Sequence, residues 1–441
     1  MNRKTLRAWG MVFGVAIAAS LAMAAFSPRA AAVPSFSRKY NVSCAKCHTA
    51  VPRLNTYGFM FKLHGYQVAN DAMLGKIDTG DPKLQLLQSL PVSVHLNGQI
   101  ADTSGDGESA DFVLDHEFGL IFADTFATDM AMLLEAIVEQ EDGEFATELE
   151  HAQLTFVGLS HRRSTAFNMQ VGTMNLFDWG IANDRRLSMS DYAAYGVAVG
   201  ENDHLLVNGM QGINIFGMLG GGGGGETTRG NAATQLVSTD PTSALASAPD
   251  ADAESAPIAN YNVRQGIFYQ VGVGTPGASD ENKLSTFGRL GYSFAHGPTI
   301  TGFGISGTHA LASADEHYDR VGLELMWDLP KTISVGGYEE SALMFNAGWI
   351  SGHDEDPLDG EGSVDHTAQF AEVVYLLSAD NAILVRWDRI HSSDLPELNQ
   401  TSLTADFLYY LKRNIRVGLE GVFNSTGGSG NRFGFFYDIL L

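Results

Sequence analysis

The sequence predicts a mainly β protein, an outer-membrane-type antiparallel β-barrel of about 16 strands preceded by a small α-helical domain. Three observations predict it. Stretches of ten or so residues alternate apolar and polar side chains. The links between them alternate short and long. This texture begins only near Leu90, after a compact segment that holds both cysteines of the 441-residue chain.

The chain divides into three zones. Residues 1–32 read as an export signal: Arg3, Lys4 and Arg7 lead an apolar stretch from Trp9 to Phe26, and Ala30-Ala31-Ala32 offers a cleavage site. Ser27-Pro28-Arg29 breaks the apolar run, which favours cleavage over an uncleaved anchor helix of about 18 residues. Residues 33–89 form the compact domain, and residues 90–441 form the barrel. Within the barrel, Val92, Val94, Leu96, Gly98 and Ile100 alternate with Ser93, His95, Asn97 and Gln99. The last strand sets Phe433, Phe435, Tyr437 and Ile439 against Arg432, Gly434, Phe436 and Asp438. A side-chain period of two gives one lipid-facing and one lumen-facing set.

Strands are expected at 92–101, 111–123, 129–139, 147–158, 165–174, 204–217, 261–274, 284–295, 299–311, 317–328, 341–351, 366–378, 381–391, 401–411, 414–424 and 431–440. Short links fall at 124–128, 160–164, 296–298, 379–380 and 412–413. Longer acidic loops fall at 102–110, 140–146, 352–365 and 392–400. A flexible Gly/Ala/Ser-rich insertion spans 218–259, opening on Gly220–Gly225. It falls on the rim of short turns, unless strands at 193–200 and 227–237 raise the count to eighteen. Lumen-side Arg386, Asp388, Asp406 and Glu420 are expected to share a polar network, because buried polar groups need partners.

Acidic residues outnumber basic ones 51 to 27, a formal charge of −24. That balance excludes nucleic acid as a partner and suits cations or basic redox partners. The acidic loops, with Asp106, Glu108, Glu139, Glu141, Asp142, Glu144, Asp354, Glu355, Asp356 and Asp359, read first as solvated surface and second as a place to gather Fe²⁺ or Ca²⁺.

The chemistry concentrates at Cys44-Ala45-Lys46-Cys47-His48. In an exported chain, two thiols at this spacing followed by His point to one covalently bound haem c, with Cys44 and Cys47 as thioether donors and His48 as the proximal axial ligand. A zinc site would need further ligands, and a redox dithiol would need a βαβ setting that this region lacks. The domain therefore reads as a monohaem cytochrome c domain. Asn55 to Asn70 reads as a short helix on which Met60 and His64, four apart, share a face. Either can be the distal ligand, with His64 preferred, Met73 third, and an open or water-bound position the remaining alternative. A domain of some 55 residues is small to stand alone. It is expected to dock in or on the barrel as a plug or cap, with His95 and Asn97 near it.

These residues carry a family resemblance. Pro34, Phe36 and Arg38, then Cys44, Cys47 and His48, then Pro52, Leu54, Asn55, Gly58, Phe61-Lys62 and Gly65-Tyr66 resemble the fused outer-membrane cytochrome–porins, which include outer-membrane iron oxidases. Ser37, Lys39-Tyr40-Asn41 and Tyr57 depart from the pattern, and the chain ends in Leu441 instead of Phe. The resemblance implies a route in which the haem takes single electrons from extracellular Fe(II) and periplasmic cytochrome c receives them, with the barrel seated in outer-membrane lipid. The alternatives are an outward electron conduit and a porin with a haem plug.

Overall fold

The computed structural model describes residues 35–441 apart from 41, 68–75, 78, 82, 85, 88–89, 105–116, 128, 142–143, 161–164, 201, 203–204, 207–208, 221–263, 277–282, 296, 311–314, 336, 356, 358–361 and 427–429. The expected signal, Met73, the strand at 227–237 and nearly all of the 218–259 insertion lie outside the described residues.

Sixteen strands close into one barrel. They run Val92–Ser104 (β1), Glu117–Ala127 (β2), Met130–Glu141 (β3), Glu144–Phe156 (β4), Asn168–Met174 (β5), Met210–Leu219 (β6), Gly266–Pro276 (β7), Ser285–Ser293 (β8), Thr299–Ala310 (β9), Asp315–Val335 (β10), Tyr338–Asp354 (β11), Val364–Ser378 (β12), Asn381–His391 (β13), Gln400–Lys412 (β14), Ile415–Thr426 (β15) and Asn431–Leu440 (β16). Each pairs antiparallel with its sequence neighbours, and β16 closes on β1 from Asn431↔Ser104 to Leu440↔His95. Closure leaves no open edge, which a lipid-facing sheet requires.

The period of two in the sequence becomes two chemically distinct faces. In β13, Ala382, Leu384, Arg386, Asp388 and Ile390 are buried inward, while Ile383, Val385 and Trp387 are exposed outward. Val321, Leu323, Leu403 and Phe407 continue the outward apolar band on β10 and β14.

All sixteen expected strands are present, with shifted ends. The 140–146 loop is instead a tight link between β3 and β4, which pair as far as Glu141↔Glu144. β10 and β11 run well past their expected ends at 328 and 341 and meet at Val335↔Tyr338. Pro330 reads locally as a stop. The ladder passes it through an irregularity between Leu329 and Thr332, as a bulge permits. Residues 193–200 are not a barrel strand. They hold a 3₁₀ turn at Ala193–Tyr195 and a single bridge, Val199↔Asn202, so the barrel has sixteen strands.

Residues 175–200 of the long link between β5 and β6 fold inward. Tyr195 donates from its hydroxyl to Glu324 (2.6 Å) and Tyr192 to Glu372 (3.0 Å). Arg386 donates to Ser188 Oγ (2.6 Å), and Glu420 accepts from the backbone of Met189 (2.7 Å) and Ser190 (2.9 Å). Phe177 stacks on Tyr195 with ring centroids 4.1 Å apart. The loop thus brings hydrogen-bonded polar groups and an aromatic cluster into the lumen.

Candidate functional site

The segment Ser35–Gln67 lies inside the barrel, toward the rim of short turns. Its first helix, α1 (Ser35–Tyr40), touches β1 and β2. The Ser35 amide donates to Ser93 Oγ (2.9 Å), and Lys39 pairs with Asp124 (2.8 Å). Ser93 belongs to the same inward set as His95, which pairs with Asp438 (3.1 Å).

Cys44–Lys46 form a 3₁₀ turn capped by Ser43, whose hydroxyl accepts from the Ala45 amide. A small hairpin follows, His48–Ala50 against Arg53–Leu54. Asn55 then ties the motif together. Its amide nitrogen donates to Lys46 O (3.2 Å) and Glu340 Oε1 (2.7 Å), its backbone N–H donates to Cys47 O (2.9 Å), and its side-chain oxygen caps helix α2 (Thr56–Leu63) at Gly58 N (2.9 Å). Gly58 sits so close to the turn that a Cβ there would stand 2.1 Å from Cys47 O.

The barrel grips this unit at named points. Glu340, on the part of β11 beyond its expected end, also accepts from Thr49 Oγ1 (3.0 Å). Tyr410 donates to Val51 O (3.0 Å), and Arg53 pairs with Asp328 (3.0 Å). Lys46 lies over the rings of Tyr57 (4.3 Å) and Tyr338 (5.0 Å). Glu340 was not singled out from the sequence. Its signal was its phase: it shares the inward set of β11 with buried Ala342, Met344 and Asn346.

His48 Nδ1 lies 2.9 Å from Pro52 O. A carbonyl only accepts, so Nδ1 carries the proton and the lone pair sits on Nε2. Burial pulls the imidazole down to about 4, so it is neutral at pH 7. Burial also pushes Cys44 up and Cys47 up to about 12, so both are thiols in the folded chain. Two thiols three residues apart and an adjoining neutral imidazole, oriented by a backbone carbonyl, fit the donor set of haem c.

Two spaces adjoin the hairpin. One, of about 270 Å³, lies beside His48 and is bounded by Val335, Leu376, Tyr410 and Arg413. The other, of about 1120 Å³, runs from Arg53, Leu54 and Asn55 along Phe59 to Trp179 and Arg264.

Met60 and His64 are placed apart from His48. Gly58 marks the α2 face that meets Cys47, and Met60 and the C-cap His64 follow about 200° and 240° further round the helix. Met60 is buried with Trp179, Phe216 and Phe268. His64 is buried with Nδ1 2.7 Å from Met60 O, where the helix end meets Ala131, Val157 and Asn168 on the β3–β5 arc. His48 faces residues of β10, β12 and β14, on the opposite arc of the barrel.

Of the expected lumen network, Arg386 pairs with Asp388 (2.7 Å), and Glu420 pairs with Arg432 (2.7 Å) instead of Asp406; Asp406 lies opposite Glu420 in the ladder, and neither of its carboxylate oxygens has a hydrogen-bond partner among the described residues. Asp354, expected in an acidic surface loop, is buried between Arg320 (2.8 Å) and Asn202 (2.9 Å). The side chains of Asp106, Glu108, Glu139, Glu141, Asp142, Glu144, Asp356 and Asp359 lie outside the described residues.

These features define a closed sixteen-stranded porin-like barrel with its N-terminal segment in the lumen. A Salmonella typhi OmpF structure, in complex with daunomycin, shares the fold at a TM-score of 0.50 and 10% identity, covering 80% of this chain and 97% of that one. Similar too are an anion-selective porin from Comamonas acidovorans (TM-score 0.48, 9% identity, 80% and 98% covered) and the Acinetobacter baumannii channel DcaP (0.47, 12%, 79% and 95%). No protein-family model matches the chain, and no curated protein matches it.

Proposed function

We propose that the chain is an outer-membrane c-type cytochrome–porin that takes single electrons from an extracellular donor, foremost Fe(II), and delivers them to periplasmic cytochrome c. The observation that carries this reading is the seat of the Cys44–His48 turn: it is docked on the inner wall of a closed barrel, not carried outside it. Cys44 and Cys47 would bind the ring edge and His48 the iron, and haem so held supplies a one-electron couple. The chain's own part is positioning. Glu340 fixes Thr49 and Asn55, Tyr410 fixes Val51, and Pro52 O orients His48, so the three attachment points share one rigid frame. The short-turn rim beside this frame is the periplasmic side in outer-membrane barrels, which suits delivery to a periplasmic carrier.

The test is rapid mixing of the haem-matured protein, in detergent, with Fe(II). The reduced haem spectrum should appear. A spectrum developed by dithionite but not by Fe(II) removes iron as donor. Protein without haem absorbance removes the cytochrome reading, and protein soluble without detergent removes the membrane barrel. The occupied lumen favours a second reading, a porin plugged by its haem segment. Conductance that rises when Glu340 is replaced, in a protein inert to every electron donor tried, selects it.

A further inference from the structure

The large lumen cavity carries more cationic and donor groups than its walls satisfy. Of the arginines lining it, Arg53 is paired with Asp328, Arg186 with Asp191 and Arg185 with Asp184. Arg264, immediately before β7, is different. Its guanidinium carbon lies over the ring of Phe59, 3.5 Å from the centroid, and its Nε–H has no acceptor among the described residues. Trp179 packs edge-on to the same ring, with centroids 5.7 Å apart. It is buried to 3% exposure, and its indole Nε1–H also lacks an acceptor among the described residues. Lys62 Nζ, 5.1 Å over the Trp179 ring, adds positive charge. Two buried donors on one aromatic platform, both lining one cavity, each cost free energy unless an acceptor meets them. Asp328 and Glu324 offset part of the guanidinium charge, but neither accepts from its Nε–H. A carboxylate or other oxyanion answers both the charge and the two N–H groups.

We infer that Arg264 and Trp179 form an oxyanion-binding subsite in the lumen, fitted to a carboxylate. Two sources offer that chemistry. One is a propionate of the haem proposed above, an arm that rests on the cytochrome reading. The other is a free small anion entering the lumen.

The probe is malonate, with inorganic phosphate beside it, titrated by calorimetry into the full-length protein made without haem and again into the haem-loaded protein. The haem-free protein should bind malonate. R264Q should weaken binding about tenfold or more and W179F severalfold, while R264K, which keeps the charge, should retain most of it. Folding of each variant is checked by the heat-dependent gel mobility of the barrel. Loss of malonate binding on haem loading assigns the subsite to a propionate. Binding undiminished by haem assigns it to a free anion. No binding to haem-free protein, or equal binding by R264Q, overturns the inference. A chain that never acquires haem but still binds malonate through Arg264 overturns the cytochrome reading alone.

Discussion

At the residue scale, Gly58 sets how closely α2 can lie on the cysteine turn. Gly58→Ala would push a methyl into the Cys47 carbonyl, and backbone cannot swing aside as a side-chain tip can. A loss of about 1–3 kcal/mol in the packing of α2 is expected, read as lower haem occupancy in pyridine haemochrome assays at equal protein. Cys44→Ser and Cys47→Ser should each leave one attachment and shift the α-band, and the double variant should lose haem on denaturing gels. Met60→Ala and His64→Ala should leave the axial-ligand spectrum unchanged, because both side chains turn away from the His48 side of the lumen. A change from low to high spin in either would restore that residue as distal ligand. The Cys44–His48 turn stands out in the sequence because it is local: five consecutive residues hold all three atoms proposed to carry haem. Glu340 does not, because its partner Asn55 is 285 residues away and nothing local marks the pair.

At the element scale, the strands were legible because a lumen-facing and a lipid-facing set must alternate along every one of them. Their ends were less so, since ladder pairing decides where a strand stops, and pairing is not a local property. The β10–β11 extension shows this: Pro330 argues for a stop, but the partner strand carries the ladder on to Tyr338. The inward loop 175–200 could not be read from periodicity, since its anchors, Glu324, Glu372 and Glu420, lie on distant strands. That loop also holds α2. Burial pushes the Asp178 carboxyl up, but Lys62, His151 and Arg185 together bring it below its ordinary range. A depressed folded value contributes stability above the unfolded value, about 3.9, that is lost as pH falls toward the folded one. Protease protection of residues 35–67 should therefore hold at pH 6 and weaken below about pH 4. Asp178→Asn should show the weaker protection at both. Equal acid sensitivity in the variant would place the dependence on another group.

At the scale of the whole molecule, two chain segments occupy a lumen that a barrel of sixteen strands would otherwise leave open to solutes. Single-channel conductance of the intact protein should be small, and shortening residues 181–200 should raise it. A large conductance in the intact protein would mean that solutes pass around the loop. The outward apolar band and the polar interior divide the labour: the outside chooses the solvent, and the inside holds the chemistry.

One consequence concerns timing. The cysteine turn precedes every wall strand in the chain, yet it ends enclosed by β10 to β14, and the Leu441 amide completes the ring by donating to Val94 O (2.7 Å). Once that seam is sealed, the turn, with Cys44, Cys47 and His48 half-buried, can be reached only past the barrel wall. On the proposed cytochrome reading, porphyrin would be attached while the downstream strands are still unzipped, so cells stalled in barrel insertion should accumulate red, unassembled precursor in the periplasm.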